Sequence, residues 1–172
     1  MARLWPSTDF MRNRPELTDK AEFKIRAARI DEQTPINEMI LLSKAHWGYD
    51  EAFIEACRDD LFISIERIQS DEFRVLELSG RVVGTVEVTI EHHETHLQKL
   101  FVAADLIGSG AGRILFEWAV SRARKFNGAK IMLIESEPKA QAFYQHMGAR
   151  LIGGAPSSVF PDRILPLLKF DL

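Results

Sequence analysis

The sequence predicts a mixed α/β domain, a mostly antiparallel sheet with a central parallel βαβ unit and flanking helices. Three observations lead there. Two strand-like runs, 73–78 and 82–90, meet at Ser79-Gly80, a pair suited to a tight hairpin turn. Residues 97–135 string together an apolar strand, a glycine-rich turn, an amphipathic helix and a second apolar strand. That order is a βαβ crossover, whose two strands run parallel. Ahead of both lie two apolar stripes at helical spacing.

The elements follow in chain order. Residues 1–22 read as an irregular N-terminal extension and 23–172 as one domain. Residues 23–27 alternate apolar and charged side chains, as a half-buried strand does. Ile36, Met39 and Ile40 mark a first helix, and Phe53, Ile54, Cys57 and Leu61 a second, with His46-Trp47-Gly48-Tyr49 as the loop between them. In the strand 82–90, Val86, Val88 and Ile90 face one way and Thr85, Glu87 and Thr89 the other. Residues 91–95 turn the chain into the strand 97–102. From Gly110, the residues Ile114, Leu115, Trp118, Ala119, Ala123 and Phe126 mark the buried face of a helix that closes near Asn127-Gly128. The unbroken apolar run from Ile131 to Ile134 predicts a strand buried on both faces. Ala140, Phe143, Tyr144 and Met147 fall at i, i+3, i+4 and i+7 of a short helix that Gly148 ends. Residues 150–152 and 164–170 complete the sheet as a terminal hairpin.

Composition narrows the functional classes. A chain of 172 residues with 46% hydrophobic and 27% charged residues suits one compact domain with a substantial core. No apolar run approaches the ~20 residues of a membrane span, and the N-terminal twenty residues lack the apolar core of a secretory signal. These features predict a cytoplasmic protein without a membrane partner. The single Cys57 cannot form an internal disulfide and sits on an apolar stripe, as a structural thiol does. A net charge of −3 offers no basic footprint for nucleic acid. The one basic cluster, Arg122-Ala123-Arg124-Lys125, falls at the end of a helix, where cations complement the dipole. A homodimer is compatible with all of this.

The most informative stretch is 97–116, LQKLFVAADLIGSGAGRILF. Gly108, Gly110 and Gly112 let the backbone bend sharply and direct several N–H groups at an anion near a helix N-terminus. A P-loop needs Lys followed by Ser or Thr after its last glycine, where this chain has Arg113-Ile114. A dinucleotide fingerprint needs a third glycine where Arg113 stands. The spacing from Ile107 to Gly112 instead resembles the pyrophosphate loop of the GNAT family of acyl-CoA-dependent N-acyltransferases, Gln/Arg-x-x-Gly-x-Gly/Ala, with Ile107 in the Gln/Arg place. Downstream, Glu137 to Ala149 is similar to that family's Asn-x-x-Ala-x-x-Phe-Tyr-x-x-x-Gly-Phe, with Glu137 for Asn and Ala149 for Phe. The resemblance extends over roughly 23–172.

The resemblance implies a cytoplasmic N-acetyltransferase that passes an acetyl group from acetyl-CoA to a primary amine of a small molecule by direct attack. A protein or peptide acceptor is a variant of that activity. A non-catalytic CoA-binding or regulatory module is the alternative, motivated by Ile107 and Glu137 at two motif positions. The cofactor-binding residues implied are Ile107, Gly108, Ser109, Gly110, Ala111, Gly112 and Arg113 at the pyrophosphate. Leu100, Phe101 and Val102 would receive the pantetheine arm, and Ala140 and Phe143 complete the set. Tyr144 matches the tyrosine that protonates the departing thiolate, since a phenol with an unperturbed pKa near ~10 is protonated at neutral pH. The amine proton would go to His96, whose residue type titrates near ~6.5, to Glu87 on the neighbouring strand, or to water. His96 and Gln98 are expected on the same side as Leu100 and Val102. The acceptor is expected at His46, Trp47 and Tyr49, two aromatics and an imidazole gathered in a loop. The run from Glu91 to His96 is one residue short of H-E-x-x-H and lies outside a helix, so no metal site is expected.

Overall fold

The computed structural model describes residues 22–91 and 94–172. The N-terminal extension thus lies outside the described residues up to position 21, as do His92 and His93. A short strand β1 (Lys24–Arg26) leads into helices α1 (Gln33–Ala45), α2 (Glu51–Leu61) and α3 (Ile65–Ile68). Strands β2 (Phe73–Leu78), β3 (Arg81–Glu91) and β4 (Glu94–Val102) follow, then helix α4 (Ala111–Ala123) and strand β5 (Ile131–Glu135). Helix α5 (Gln141–His146) and strands β6 (Arg150–Pro156) and β7 (Ile164–Asp171) end the chain. The strands form one sheet in the order β1-β2-β3-β4-β5-β7-β6, antiparallel except for the parallel β4–β5 pair.

Local chemistry explains most boundaries. Ser79 and Gly80 both take positive φ, 50° and 78°, as a two-residue turn matched to strand twist requires. The Asp50 carboxylate accepts the Phe53 N–H at 2.8 Å and starts α2. Ser64 caps α3 in the same way, through the Arg67 N–H. That single turn is too short to leave a periodic trace in sequence.

Three features depart from the sequence reading. The segment expected to turn at 91–95 is mostly strand: β3 runs through Glu91, β4 starts at Glu94, and these two residues pair. Thr95 is fully buried there, its hydroxyl donating to the Ile131 carbonyl at 2.7 Å. Strand β5 is sealed on one face only. Met132 and Ile134 have no exposure, whereas Leu133 is half-buried against a cleft. Strand β4 carries a bulge: Glu87 pairs with Lys99 but its neighbour Val88 pairs with Leu97, so Gln98 is an extra residue.

The bulge corrects the expected facing of β4. Directly paired residues share a face, and Gly84, whose missing Cβ would come within 2.8 Å of Leu115, marks the α4 side. Val102 and Leu100 pair with Gly84 and Val86 and share that side. His96, Lys99 and Phe101 pair with Thr89, Glu87 and Thr85 on the opposite face, toward α1–α3. The core between sheet and α4 is aromatic as well as aliphatic. Phe116, 1% exposed, lies 5.4 Å from the Phe170 ring and 6.0 Å from Tyr144. Burial of such a ring is worth roughly 1.5–3 kcal/mol.

Candidate active site

Among the described residues the parallel pair β4–β5 is joined at Thr95↔Met132 and His96↔Leu133. Past those pairs the bulge carries β4 along β3, while β5 continues beside β7. The two strands therefore diverge, and a cleft of about 720 Å³ opens between them. One end reaches the glycine turn and the other the loop between α1 and α2.

At the first end, Gly108 and Gly110 have φ of 86° and 94°, conformations that a side chain resists. A Cβ on either would meet nothing within 4 Å, so the turn presents bare backbone. Gly110 caps α4, whose first turn holds no acidic residue. Its first N–H groups have no carbonyl one turn back and converge with the helix dipole on an anion-favouring position. Of the expected loop residues, Ile107, Gly108, Gly110, Gly112 and Arg113 line the cleft. Ser109 and Ala111 do not. The Ser109 hydroxyl donates to the Leu106 carbonyl at 2.6 Å, and Ala111 is sealed in the core. Leu100, Phe101, Val102, Ala140 and Phe143 all line the walls.

Tyr144 sits where these walls meet and is 7% exposed. Its ring lies 5.0 Å from Phe143, and burial pushes its pKa up, so the hydroxyl stays protonated across the neutral range. His96 lies half-buried on the sheet floor of the cleft. Glu87 is not a wall of the cleft. It is 3% exposed, and both its oxygens accept from the Arg67 guanidinium, one of them at 2.8 Å. That ion pair engages both carboxylate oxygens away from the residues that line the cleft.

At the other end, Trp47 lines the cleft but His46 and Tyr49 do not. The Tyr49 ring stacks on Phe53 at 4.1 Å, and its hydroxyl donates to Glu137 Oε1 at 2.5 Å and accepts from Arg163. Glu137 also accepts from Lys44 at 2.7 Å and from Arg163 at 3.2 Å. Burial works to raise the Glu137 pKa, but the bonds from Lys44 and Tyr49 and the Lys44 charge outweigh it and hold the carboxyl below its ordinary range. Burial, then the hydrogen bond to Glu137, pushes Tyr49 up to about 12. Sequence reasoning named Tyr49 and Glu137 but missed their partners Lys44 and Arg163, as well as Lys99 on β4 and Glu135 at the end of β5. The cluster's only sequence signal was an acid at the motif's Asn position.

Residues 39–149 match the family model described as acetyltransferase (GNAT) family. Among solved structures, the fold is similar to the PaiA N-acetyltransferase from Thermoplasma acidophilum in complex with coenzyme A. That match has 17% identity and a TM-score of 0.71, over 88% of this chain and 99% of the other. A GNAT-family acetyltransferase from Staphylococcus aureus is 18% identical with a TM-score of 0.65, over 87% and 99% of the two chains. N-acetylglutamate synthase from Neisseria gonorrhoeae, complexed with coenzyme A and N-acetyl-glutamate, is 17% identical with a TM-score of 0.63, over 90% of this chain and 36% of the other. No curated protein matches the chain significantly. Among the described residues no helix is long and apolar enough to cross a membrane.

Proposed function

The chain belongs to the GNAT acetyltransferase family, and we propose that it transfers an acetyl group from acetyl-CoA to the primary amine of a small-molecule acceptor in the cytoplasm. The observation that carries this reading is the continuity of one cleft from the glycine turn, past Tyr144, to the α1–α2 loop. The bare backbone at Gly108 and Gly110 and the acid-free first turn of α4 fit a pyrophosphate. Bound acetyl-CoA supplies an acetyl thioester.

The chain's own groups then have defined tasks. Gly110, Gly112 and Arg113 hold the phosphates through backbone N–H groups, and Ile107 flanks them. Leu100, Phe101 and Val102, on the edge of β4 that β5 leaves, receive the pantetheine arm; Ala140 and Phe143 close over it. His96, directly or through water, takes the proton of the attacking amine. As the C–N bond forms and the C–S bond breaks, Tyr144 donates its phenolic proton to the departing thiolate. Trp47 borders the acceptor, while Tyr49 positions that loop through Glu137.

A screen of primary amines with acetyl-CoA, read by release of free thiol and paired with calorimetry of CoA binding, tests this function. Thiol release that depends on both amine and enzyme is the expected result. CoA binding with no turnover of any amine would leave the chain as a non-catalytic CoA-binding module.

A further inference from the structure

Lys99 is a largely buried charged side chain of the cleft to which acetyl transfer itself gives no task. The bulge at Gln98 turns it onto the α1–α3 face beside Glu87, and its side chain is 12% exposed. An ammonium has three N–H donors, and here one reaches the Asp60 carbonyl at 3.0 Å. The Asp60 carboxylate is 4.0 Å away, with its other oxygen accepting from Ser158 at 2.6 Å. Burial pulls the Lys99 pKa down, with Asp60 opposing.

The anions around it are already matched. Glu87 is held by Arg67, and Glu137 by both Lys44 and Arg163. Lys44, Arg67, Lys99 and Arg163 thus face Asp60, Glu87 and Glu137, leaving one positive charge in excess. Lys139, whose ammonium donates to the Trp47 carbonyl, also lines the cleft and adds a positive charge. A largely buried cation whose nearest carboxylate stands 4.0 Å away is only partly compensated, and that is costly. A ligand carrying negative charge relieves that cost, a neutral one does not, and a polycation raises it. At the opposite wall Glu135 is exposed to the cleft with no ion pair among the described residues, which favours a positive group there.

Building on the acetyl-transfer reading, we propose that the acceptor is an amino-acid-like zwitterion whose carboxylate is received by Lys99, with Lys44 and Lys139 shaping the field around it. Lys99 is then a specificity-determining residue. A single negative charge matches the cluster better than a phosphate group, which brings nearly two.

The test compares acceptors that differ only in the carboxylate: phenylalanine with phenethylamine, leucine with isoamylamine, and lysine with cadaverine. For the pair that fits the cleft best, kcat/KM should favour the amino acid by about ten- to a hundredfold, the scale of one charge-assisted hydrogen bond. Lys99→Met should abolish that preference through the acceptor KM, with CoA affinity unchanged, and Lys99→Arg should restore part of it. Calorimetry with N-acetylphenylalanine against N-acetylphenethylamine reads the same preference without turnover. Selective binding of the carboxylate ligand, lost in Lys99→Met, supports the inference even if no amine is acetylated, in which case it is the catalytic reading that fails. Equal handling of both members of every pair, or an undiminished preference in a folded Lys99→Met protein, overturns it.

Discussion

Replacing Glu137 by Gln removes one negative charge and keeps the shape of the side chain. In the wild type this carboxylate is 11% exposed and holds Lys44 and Arg163, themselves 13% and 22% exposed. Removing one partner of a fully buried ion pair costs about 3–5 kcal/mol. Residual exposure of both cations, and the acceptor oxygen that Gln keeps, reduce this to about 2 kcal/mol. For a chain of this size that corresponds to a fall in Tm of about 4–8 °C. The pH dependence adds a second signature. A carboxyl whose folded pKa is depressed contributes stability above its unfolded value, about 4.3, and loses it as pH falls through the folded value. The gap between wild type and Glu137→Gln should therefore hold from pH 7 down to pH 5 and close only in stronger acid.

Tyr49 supplies the third signature. The chain has two tyrosines, so an ultraviolet titration contains only two phenol steps. With Glu137 neutralised, Tyr49 loses the negative charge that helps push it up to about 12 and keeps Arg163, whose charge and hydrogen bond both pull it down. Its step should move to lower pH. Denaturant unfolding at pH 7, 5 and 3, together with that titration, makes the measurement. A loss below about 0.5 kcal/mol, the range of ordinary surface substitutions, with Tyr49 unmoved, would refute the view that this cluster organises the acceptor wall.

Gly110→Val introduces a branched side chain at φ 94°, where a Cβ meets no protein atom but enters the open face of the turn. Backbone strain of about 1–2 kcal/mol is expected, together with a loss of CoA affinity by calorimetry; unchanged affinity in the folded variant would move the pyrophosphate elsewhere. Tyr144→Phe keeps the ring packing against Phe116 and Phe143 and should lower turnover by about 10²–10⁴-fold with CoA binding intact; wild-type turnover would reduce Tyr144 to a packing residue. His96→Ala should depress the acidic limb of the pH–rate profile and recover partly at high pH, where free amine is abundant. An unchanged profile would leave deprotonation to water. Trp47→Ala should raise the acceptor KM and leave the KM for acetyl-CoA near wild type, whereas lost thermal stability with unaltered kinetics would make the loop purely structural.

What the sequence determined by itself is what short-range physics controls. The hairpin at Ser79-Gly80 follows from two residues that accept positive φ, and the stripes of α1, α2 and α4 from periodicity within a few turns. The glycine turn and the Tyr144 helix were legible for the same reason, since each is a contiguous motif. The tertiary structure alone decided which face those elements present. One extra residue, Gln98, reverses the facing of β4 beyond it, and nothing in the local pattern distinguishes a bulged strand from a straight one. The apolar run of β5 suggested two buried faces, but only the divergence of β4 shows that one of them is a cleft wall. Glu137 meets Lys44 across 93 positions and Arg163 across 26. Such a charge cluster exists only after the α1–α2 loop, the end of β5 and the segment before β7 have been brought together, because its energy depends on burial and separation that no local stretch of chain encodes.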